Sequence, residues 1–310
     1  MSDAPRPQQD SQRESGSPPP ADAVSAGDAR SRTRFIEANS HGVRVRVDEL
    51  GQGRPLVFLH GLLGINDYWL PTARALSSRF RSHLIEVPLL ELPGRLSNVD
   101  GVARLIMRAL DELINEPAVL IGSSFGGHAG LQIVLERPDL VRGLVLTGSS
   151  GLYEEPIDLE LEQGFRNREV QHRPSHNWIH DKIAELFYDR TRIPDGVVDR
   201  AHSELSNRRA ARTMVKLSKS ARRDHMGSRL GAITTPTLVV WGRQDVVTPP
   251  RVAEEFCTLL PDARLHWIDH CGHAPMIECP DAFTSALVNF LDELDSLQHD
   301  ARGRSRQEVA

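Results

Sequence analysis

An apolar run that leads directly into a serine flanked by glycines is the feature that most constrains this chain. Residues 118–121 are apolar, the sequence Gly122-Ser123-Ser124-Phe125-Gly126 follows, and apolar residues at helical spacing come next. This pattern predicts a strand, a sharp turn and a helix, with a serine at the apex of the turn. Such a turn excludes bulky residues two positions either side of its apex. Ser124 has glycine at both of those positions and Ser123 has glycine at neither, so Ser124 is the predicted exposed hydroxyl.

The composition limits the classes of protein to which the chain can belong. Its 310 residues, 39% of them hydrophobic, suffice for one large α/β domain or for a core with an inserted piece. A formal net charge of −5 argues against a nucleic-acid partner. The three cysteines lack metal-ligand spacing and suggest a reducing compartment. With no apolar run of about eighteen residues and no secretory signal pattern, we expect a cytoplasmic protein without a membrane span.

Short strand patterns alternate with helical patterns along most of the chain. Because strands separated by helices pair in parallel, this order predicts an α/β fold with a mostly parallel central sheet and helices on both faces. The first two strands are joined by a turn sequence and predict an antiparallel hairpin at one edge of the sheet. The predicted strands are residues 35–38, 43–49, 55–59, 83–87, 118–121, 140–147, 237–241 and 264–268.

The strand and helix patterns also define the predicted domain boundaries. Residues 1–32 and 297–310 are polar with little to bury, so we expect both to be disordered tails. Residues 151–230 interrupt the alternation with charged, helix-patterned sequence, which predicts a helical cap inserted into a core of residues 33–150 and 231–296. The last helix of the cap has a basic face with two interpretations. It is a solvated surface, or its charges attract anionic substrates towards a cleft.

Two later strands end in residues that could activate a serine. A serine hydroxyl becomes nucleophilic when a histidine takes its proton and a carboxylate orients that histidine. Asp245 follows the strand pattern at 237–241, and His273 follows the one at 264–268. Since the carboxyl ends of parallel strands share one edge of the sheet, we expect Ser124, Asp245 and His273 to converge there.

Other residues compete for these roles. Asp269 is an alternative acid, but it lies only four positions before His273 and better suits a local turn or cap. His270 is a weaker candidate for the base. We expect His60 to brace the loop after its strand through hydrogen bonds, and His128 to pack inside the core. The histidines and carboxylates lack the spacing of metal ligands, so we expect neither a metal nor a cofactor.

Four motifs together resemble the α/β-hydrolase family over residues 35–294. They are His60-Gly61-Leu62-Leu63-Gly64, Gly122-Ser123-Ser124-Phe125-Gly126-Gly127, Trp241-Gly242-Arg243-Gln244-Asp245 and Gly272-His273-Ala274-Pro275. The chain is similar in particular to the cap-bearing branch that includes esterases, ring-cleavage-product hydrolases and cofactor-free haloperoxidases. The resemblance implies an α/β-hydrolase fold, Ser124 as nucleophile and an oxyanion hole formed by two backbone N–H groups. One belongs to Phe125, directly after the nucleophile, and the resemblance assigns the other to Leu62.

The expected reaction is hydrolysis of a carboxylic ester, or a thioester, of a small or medium apolar acid. C–C bond hydrolysis of aromatic ring-cleavage products is the alternative within enzymes. It is weakened because the chain has Leu62-Leu63-Gly64 where such hydrolases carry Gly-Gly-Pro-Gly, and Phe125 where they carry Met. A ligand-binding relative that keeps the fold without catalysis is the alternative outside enzymes.

Overall fold

The computed structural model describes residues 31–38, 42–152 and 174–308, and within them the chain forms one eight-stranded sheet. The strands are β1 (Arg32–Glu37), β2 (Arg44–Gly51), β3 (Arg54–Leu59), β4 (Phe80–Glu86), β5 (Ala118–Ser123), β6 (Val141–Thr147), β7 (Thr237–Gly242) and β8 (Ala263–Ile268). Their order across the sheet is β1-β2-β4-β3-β5-β6-β7-β8. Strands β3 to β8 are mutually parallel, whereas β2 is antiparallel to both β1 and β4. The predicted mostly parallel sheet with an antiparallel hairpin at its edge is therefore confirmed, while the hairpin turn at 39–41 lies outside the described residues.

Helices cover both faces of the sheet, as the sequence predicts. Helices α2, α3 and α8 pack on one face and α1 and α10 on the other. The described helices are α1 (Leu70–Leu76), α2 (Val99–Leu113), α3 (Phe125–Glu136), α4 (His176–Ala184), α5 (Val197–Leu205), α6 (Arg208–Arg223), α7 (Gly227–Leu230), α8 (Pro250–Leu259), α9 (Pro275–Glu278) and α10 (Pro280–Glu308).

The central strands are apolar because both of their faces are covered. All six residues of β5 are buried, with Leu120 in the core on one face and Val119 and Ile121 in the core on the other. Burying one such side chain contributes about 1.5–3 kcal/mol to stability. This packing holds the carboxyl end of β5, where Ser124 follows, in a fixed position.

The regular elements described between β6 and β7 are all helices. Residues 174–230 contain helices α4 to α7 and no strand, while residues 153–173 of the predicted insertion lie outside the described residues. Helix α6 buries Met214, Leu217 and Ala221. Arg212 and Lys216 are exposed on its opposite side, so the predicted basic face is present on the surface of this helix.

The C-terminal end differs from the prediction. Helix α10 continues to Glu308, whereas the sequence predicts a disordered tail over residues 297–310. Apart from Gly303, residues 298–308 contain no strong helix breaker, so the helix that begins in the core propagates into this polar stretch. Of the predicted N-terminal tail, residues 1–30 lie outside the described residues, and β1 already begins at Arg32. None of the helices in the described ranges has the length and apolar character needed to cross a membrane.

Candidate active site

Ser124 occupies a strained turn between β5 and α3. Its φ of 53° and ψ of −118° lie in a region that is costly for a residue with a side chain, on the order of 1–3 kcal/mol. The surroundings hold it there: Ser124 N–H donates to the Thr147 carbonyl at 3.0 Å, and the Ser124 carbonyl accepts from His128 N–H at 3.2 Å. A Cβ on Gly126 would lie 2.4 Å from the Leu59 carbonyl oxygen, which explains the glycine after the apex. The turn leaves the Ser124 side chain partly exposed at the sheet edge.

Asp245 lies in the loop after β7, and its carboxylate is buried and held by local hydrogen bonds. Oδ1 accepts from the backbone N–H groups of Val247, at 2.8 Å, and Thr248, at 2.9 Å. Oδ2 accepts from the Thr248 hydroxyl at 2.8 Å. Only 3% of the residue is exposed. These donors fix the orientation of the carboxylate and the direction of its second oxygen.

The structure brings His273 against that second oxygen. His273 Nδ1 lies 2.9 Å from Asp245 Oδ2 and 3.1 Å from Thr248 Oγ1. Because an ionised carboxylate can only accept, the Nδ1 of His273 carries the proton and donates it to Asp245. The lone pair of the neutral imidazole is therefore on Nε2, the nitrogen that a proton acceptor for serine must use.

Ser124 and His273 both lie beside the carboxyl end of β6. Ser124 bonds to Thr147 at the end of that strand, and a Cβ placed on Gly148 would lie 2.7 Å from the His273 ring. Among the described residues, the Ser124 hydroxyl forms no hydrogen bond to the imidazole. Catalytic hydrogen bonds are often long without substrate and tighten when it binds, so this geometry is compatible with a serine–histidine pair.

The two competing candidates lie elsewhere. Asp269 Oδ1 forms an exposed ion pair with Arg243 Nε at 2.6 Å, and the structure gives it no bond to His273. His270 is exposed, adopts a positive φ of 52° and packs against the Tyr188 ring. The geometry therefore favours Asp245 over Asp269 as the partner of His273.

A family model described as alpha/beta hydrolase fold matches residues 54–280, which is most of the chain. The chain belongs to the alpha/beta hydrolase family. Its relatives and structural neighbours are hydrolases, and the protein is an enzyme of this class.

Individual members of the alpha/beta hydrolase family match over most of their length. A 2-hydroxy-6-oxononadienedioate/2-hydroxy-6-oxononatrienedioate hydrolase of Cupriavidus pinatubonensis is 33% identical over 206 residues, which cover 64% of this chain and 69% of that protein. A pimeloyl-[acyl-carrier protein] methyl ester esterase of Nitrosospira multiformis is 25% identical and covers 80% of this chain and 98% of its own. A solved alpha/beta hydrolase enzyme from the sediment metagenome of the Mar Chica lagoon, Morocco, superposes with a TM-score of 0.64 at 30% identity, covering 84% and 99% of the two chains.

In this alpha/beta hydrolase, the loop of residues 61–64 passes directly beside Ser124. A Cβ on Gly61 would lie 3.2 Å from the Ser124 Cβ. His60 holds the loop with two hydrogen bonds. Its Nδ1–H donates to the Gly61 carbonyl at 2.7 Å, and its Nε2 accepts from Val87 N–H at 3.2 Å. Burial lowers the pKa of His60 below its ordinary value, so the ring is neutral and fills both roles. The loop and the first turn of α3 thus both lie next to Ser124.

A cleft of about 490 Å³ opens from this loop towards α5 and α6. Its lining residues include Leu62, Leu63, Leu89 and Leu90, together with charged residues of both signs: Arg44, Arg46, Glu86, Glu91 and Glu204. Arg200 of α5 also lines it, donating through Nη2 to the Leu63 carbonyl at 2.8 Å and to the Tyr68 hydroxyl at 2.9 Å. The cleft is therefore lined by leucines and by charged residues of both signs, and the Arg200 guanidinium lies beside the 61–64 loop.

Three residues near the site were not identified from the sequence. Thr248 contacts both Asp245 and His273, Arg200 contacts the 61–64 loop, and Glu278 bonds to the backbone next to His273. Each makes at least one hydrogen bond to a segment distant in the chain, and a single sequence carries no periodic signal for such bonds. The short distance between Asp245 and Thr248 in the chain was the only available clue.

Proposed function

We propose that the protein hydrolyses carboxylic esters or thioesters of small or medium apolar acids through an acyl-enzyme on Ser124. In this proposal His273 Nε2 takes the proton of Ser124 as the hydroxyl oxygen attacks the carbonyl carbon. Asp245 keeps His273 in the required tautomer and stabilises the imidazolium that forms. The observation that carries the proposal is the 2.9 Å contact between His273 Nδ1 and the buried Asp245, at the sheet edge where the strained Ser124 turn also ends.

The negative charge that develops on the carbonyl oxygen requires donors above Ser124. We assign this role to the N–H groups of Leu62 and Phe125. Phe125 is the first residue of α3, where N–H groups lack intrahelical partners and the helix dipole favours negative charge. Removing one donor of this kind from an enzyme typically costs on the order of 100- to 1000-fold in rate.

The leaving group and water complete the reaction without a cofactor. The alcohol or thiol leaves after accepting the proton held by His273. Water then attacks the acyl-enzyme carbonyl while His273 takes a proton from it, and Ser124 is restored as the acid departs. The leucines among the lining residues of the cleft support an apolar acyl group, and we assign the walls of the acyl site to the cap predicted over residues 151–230.

The test is steady-state hydrolysis of p-nitrophenyl esters of increasing acyl length. We expect turnover of acetate to octanoate esters, with a maximum at one chain length, and loss of roughly four to six decades in Ser124→Ala and in His273→Ala. Near-normal turnover in either variant would refute the assignment. Asp269→Asn is the matched control. It removes an exposed carboxylate from the loop that carries His273 and should retain wild-type turnover.

C–C bond hydrolysis of ring-cleavage products is the second candidate. Two observations favour it: the 33%-identical relative from Cupriavidus pinatubonensis bears the name of such a hydrolase, and Arg200 supplies a cation in the cleft. A guanidinium has five N–H donors. Arg200 forms three hydrogen bonds with them, to Leu63, Tyr68 and Glu204. The remaining donors suit the carboxylate of a dienoate. A ring-cleavage dienoate assayed beside the ester panel distinguishes the two, since the reaction with the higher kcat/KM identifies the chemistry.

A further inference from the structure

Glu278 is a buried carboxylate for which the proposed reaction has no role. It is the last residue of α9, five positions after His273, and only 4% of it is exposed. Within the described part of the chain no Lys, Arg or His side chain forms an ion pair with it. A buried charge without a counter-ion is costly unless hydrogen-bond donors surround it, so its partners indicate why it is there.

The partners of Glu278 are the side chain of Cys271 and backbone N–H groups from two separate segments. Glu278 Oε2 accepts from Gly272 N–H at 2.7 Å. Oε1 accepts from Asp189 N–H at 2.6 Å. Gly272 directly precedes His273, whereas Asp189 lies in the turn of residues 186–189 that follows α4 in the helical segment. One carboxylate therefore joins the histidine loop, residues 269–274, to the 186–189 turn.

The same two segments meet through their backbones. His273 N–H donates to the Leu186 carbonyl at 2.8 Å. A Cβ on Gly272 would lie 2.8 Å from that carbonyl oxygen and 2.9 Å from the Tyr188 nitrogen. The turn thus packs so closely against Gly272 that a residue with a Cβ would clash with it. The backbone of His273 is therefore packed directly against this turn.

We propose that Glu278 is a positioning residue for His273. Its carboxylate ties the histidine loop to the 186–189 turn and so holds the imidazole where it can take the proton of Ser124. This inference rests on the proposed function, because it gives His273 the role of base. It also means that the helical segment, besides forming the walls of the cleft, fixes the geometry of the catalytic base.

The test uses Glu278→Gln, which keeps the shape of the side chain but replaces one acceptor oxygen with an NH₂ group. One of the two backbone N–H groups then faces a donor and loses its bond. A displacement of about 1 Å at a reacting group can cost 100-fold. Titration with a fluorophosphonate counts the active sites that are folded and reactive. We therefore expect kcat per titrated site to fall on the order of 10- to 100-fold. KM should stay within about threefold, since proton transfer and not substrate binding is affected.

Asp295→Asn is the matched control for a loss that is only structural. Asp295 is a partly buried carboxylate that also accepts two hydrogen bonds, from Arg54 and Arg142, at the opposite end of the strands. This variant should lower stability and leave kcat per titrated site unchanged. If Glu278→Gln likewise lowers only the number of titrated sites, with wild-type kcat per site, the inference is wrong.

The double variant with His273→Ala shows whether Glu278 acts through the histidine. We expect Glu278→Gln to cause no further loss in the His273→Ala background. An equal loss in both backgrounds would overturn the inference. If Glu278→Gln does not fold, Glu278→Asp replaces it: the shortened carboxylate cannot hold both N–H groups, so kcat per site should fall several-fold, and wild-type kcat would overturn the inference. Normal turnover in His273→Ala alone would instead refute the proposed function.

Discussion

Replacing Asp245 with asparagine should convert His273 to the wrong tautomer while leaving the fold intact. Oδ1 accepts from two backbone N–H groups, those of Val247 and Thr248, at 2.8 and 2.9 Å. The asparagine oxygen must occupy this position, because an NH₂ group there would leave two donors unpaired at about 1–3 kcal/mol each. The NH₂ group therefore faces His273 Nδ1, which must accept its hydrogen bond. The imidazole proton moves to Nε2, and the lone pair needed for the proton of Ser124 is lost.

The expected loss follows from this forced orientation. A triad with the same substitution loses on the order of 10⁴-fold in kcat, equivalent to about 5 kcal/mol of transition-state stabilisation. The assay compares kcat for p-nitrophenyl butyrate in wild type, Asp245→Asn and the control Asp269→Asn, with urea unfolding to verify that all three are folded. A folded Asp245→Asn variant within tenfold of wild type would refute the reasoning, and so would an equal loss in the control.

Three further predictions follow from individual contacts. Burial lowers the pKa of His83 from 6.5 to about 4, so the unfolded chain binds a proton that the folded chain excludes, and stability falls as the pH drops below 6.5. Urea unfolding at pH 7 and pH 5 should show about 2 kcal/mol more loss in wild type than in His83→Gln, and equal losses would contradict this. Gly126→Ala places a Cβ 2.4 Å from the Leu59 carbonyl oxygen and should destabilise the protein by on the order of 1–3 kcal/mol in the same experiment. Thr248→Val removes the hydroxyl that lies 3.1 Å from His273 Nδ1 and should lower kcat about tenfold, whereas Thr248→Ser should retain it.

The sequence predicts those parts of the fold that depend on local patterns. The turn at Ser124 requires small residues at fixed positions, so the glycines alone identify which of the two serines lies at its apex. The strands of the parallel sheet are continuous apolar runs, and their carboxyl ends located Asp245 and His273. Helix α1 was not predicted, because its seven residues are too few to establish a periodicity. The end of α10 was placed too early, since a polar stretch without a breaker extends an existing helix as readily as it forms a tail.

The residues that support the site could not be predicted in the same way. Glu278 contributes through two backbone N–H groups, one of them 89 positions away in the chain. Arg200 reaches the 61–64 loop from a helix 137 positions later. Neither residue belongs to a motif, and the contacts that support the site are made to peptide groups, which have no side-chain signature. Such contacts become visible only when the helical segment is placed against the sheet edge.

Identification of the residue that a fluorophosphonate modifies tests the central claim most directly. The intact protein is labelled, digested and analysed by mass spectrometry, with Ser124→Ala and His273→Ala treated in parallel. The account predicts one adduct on the peptide that contains Ser124, no adduct in Ser124→Ala and a labelling rate reduced by several orders of magnitude in His273→Ala. An unmodified Ser124 in folded protein, or labelling that proceeds at the wild-type rate without His273, would contradict it.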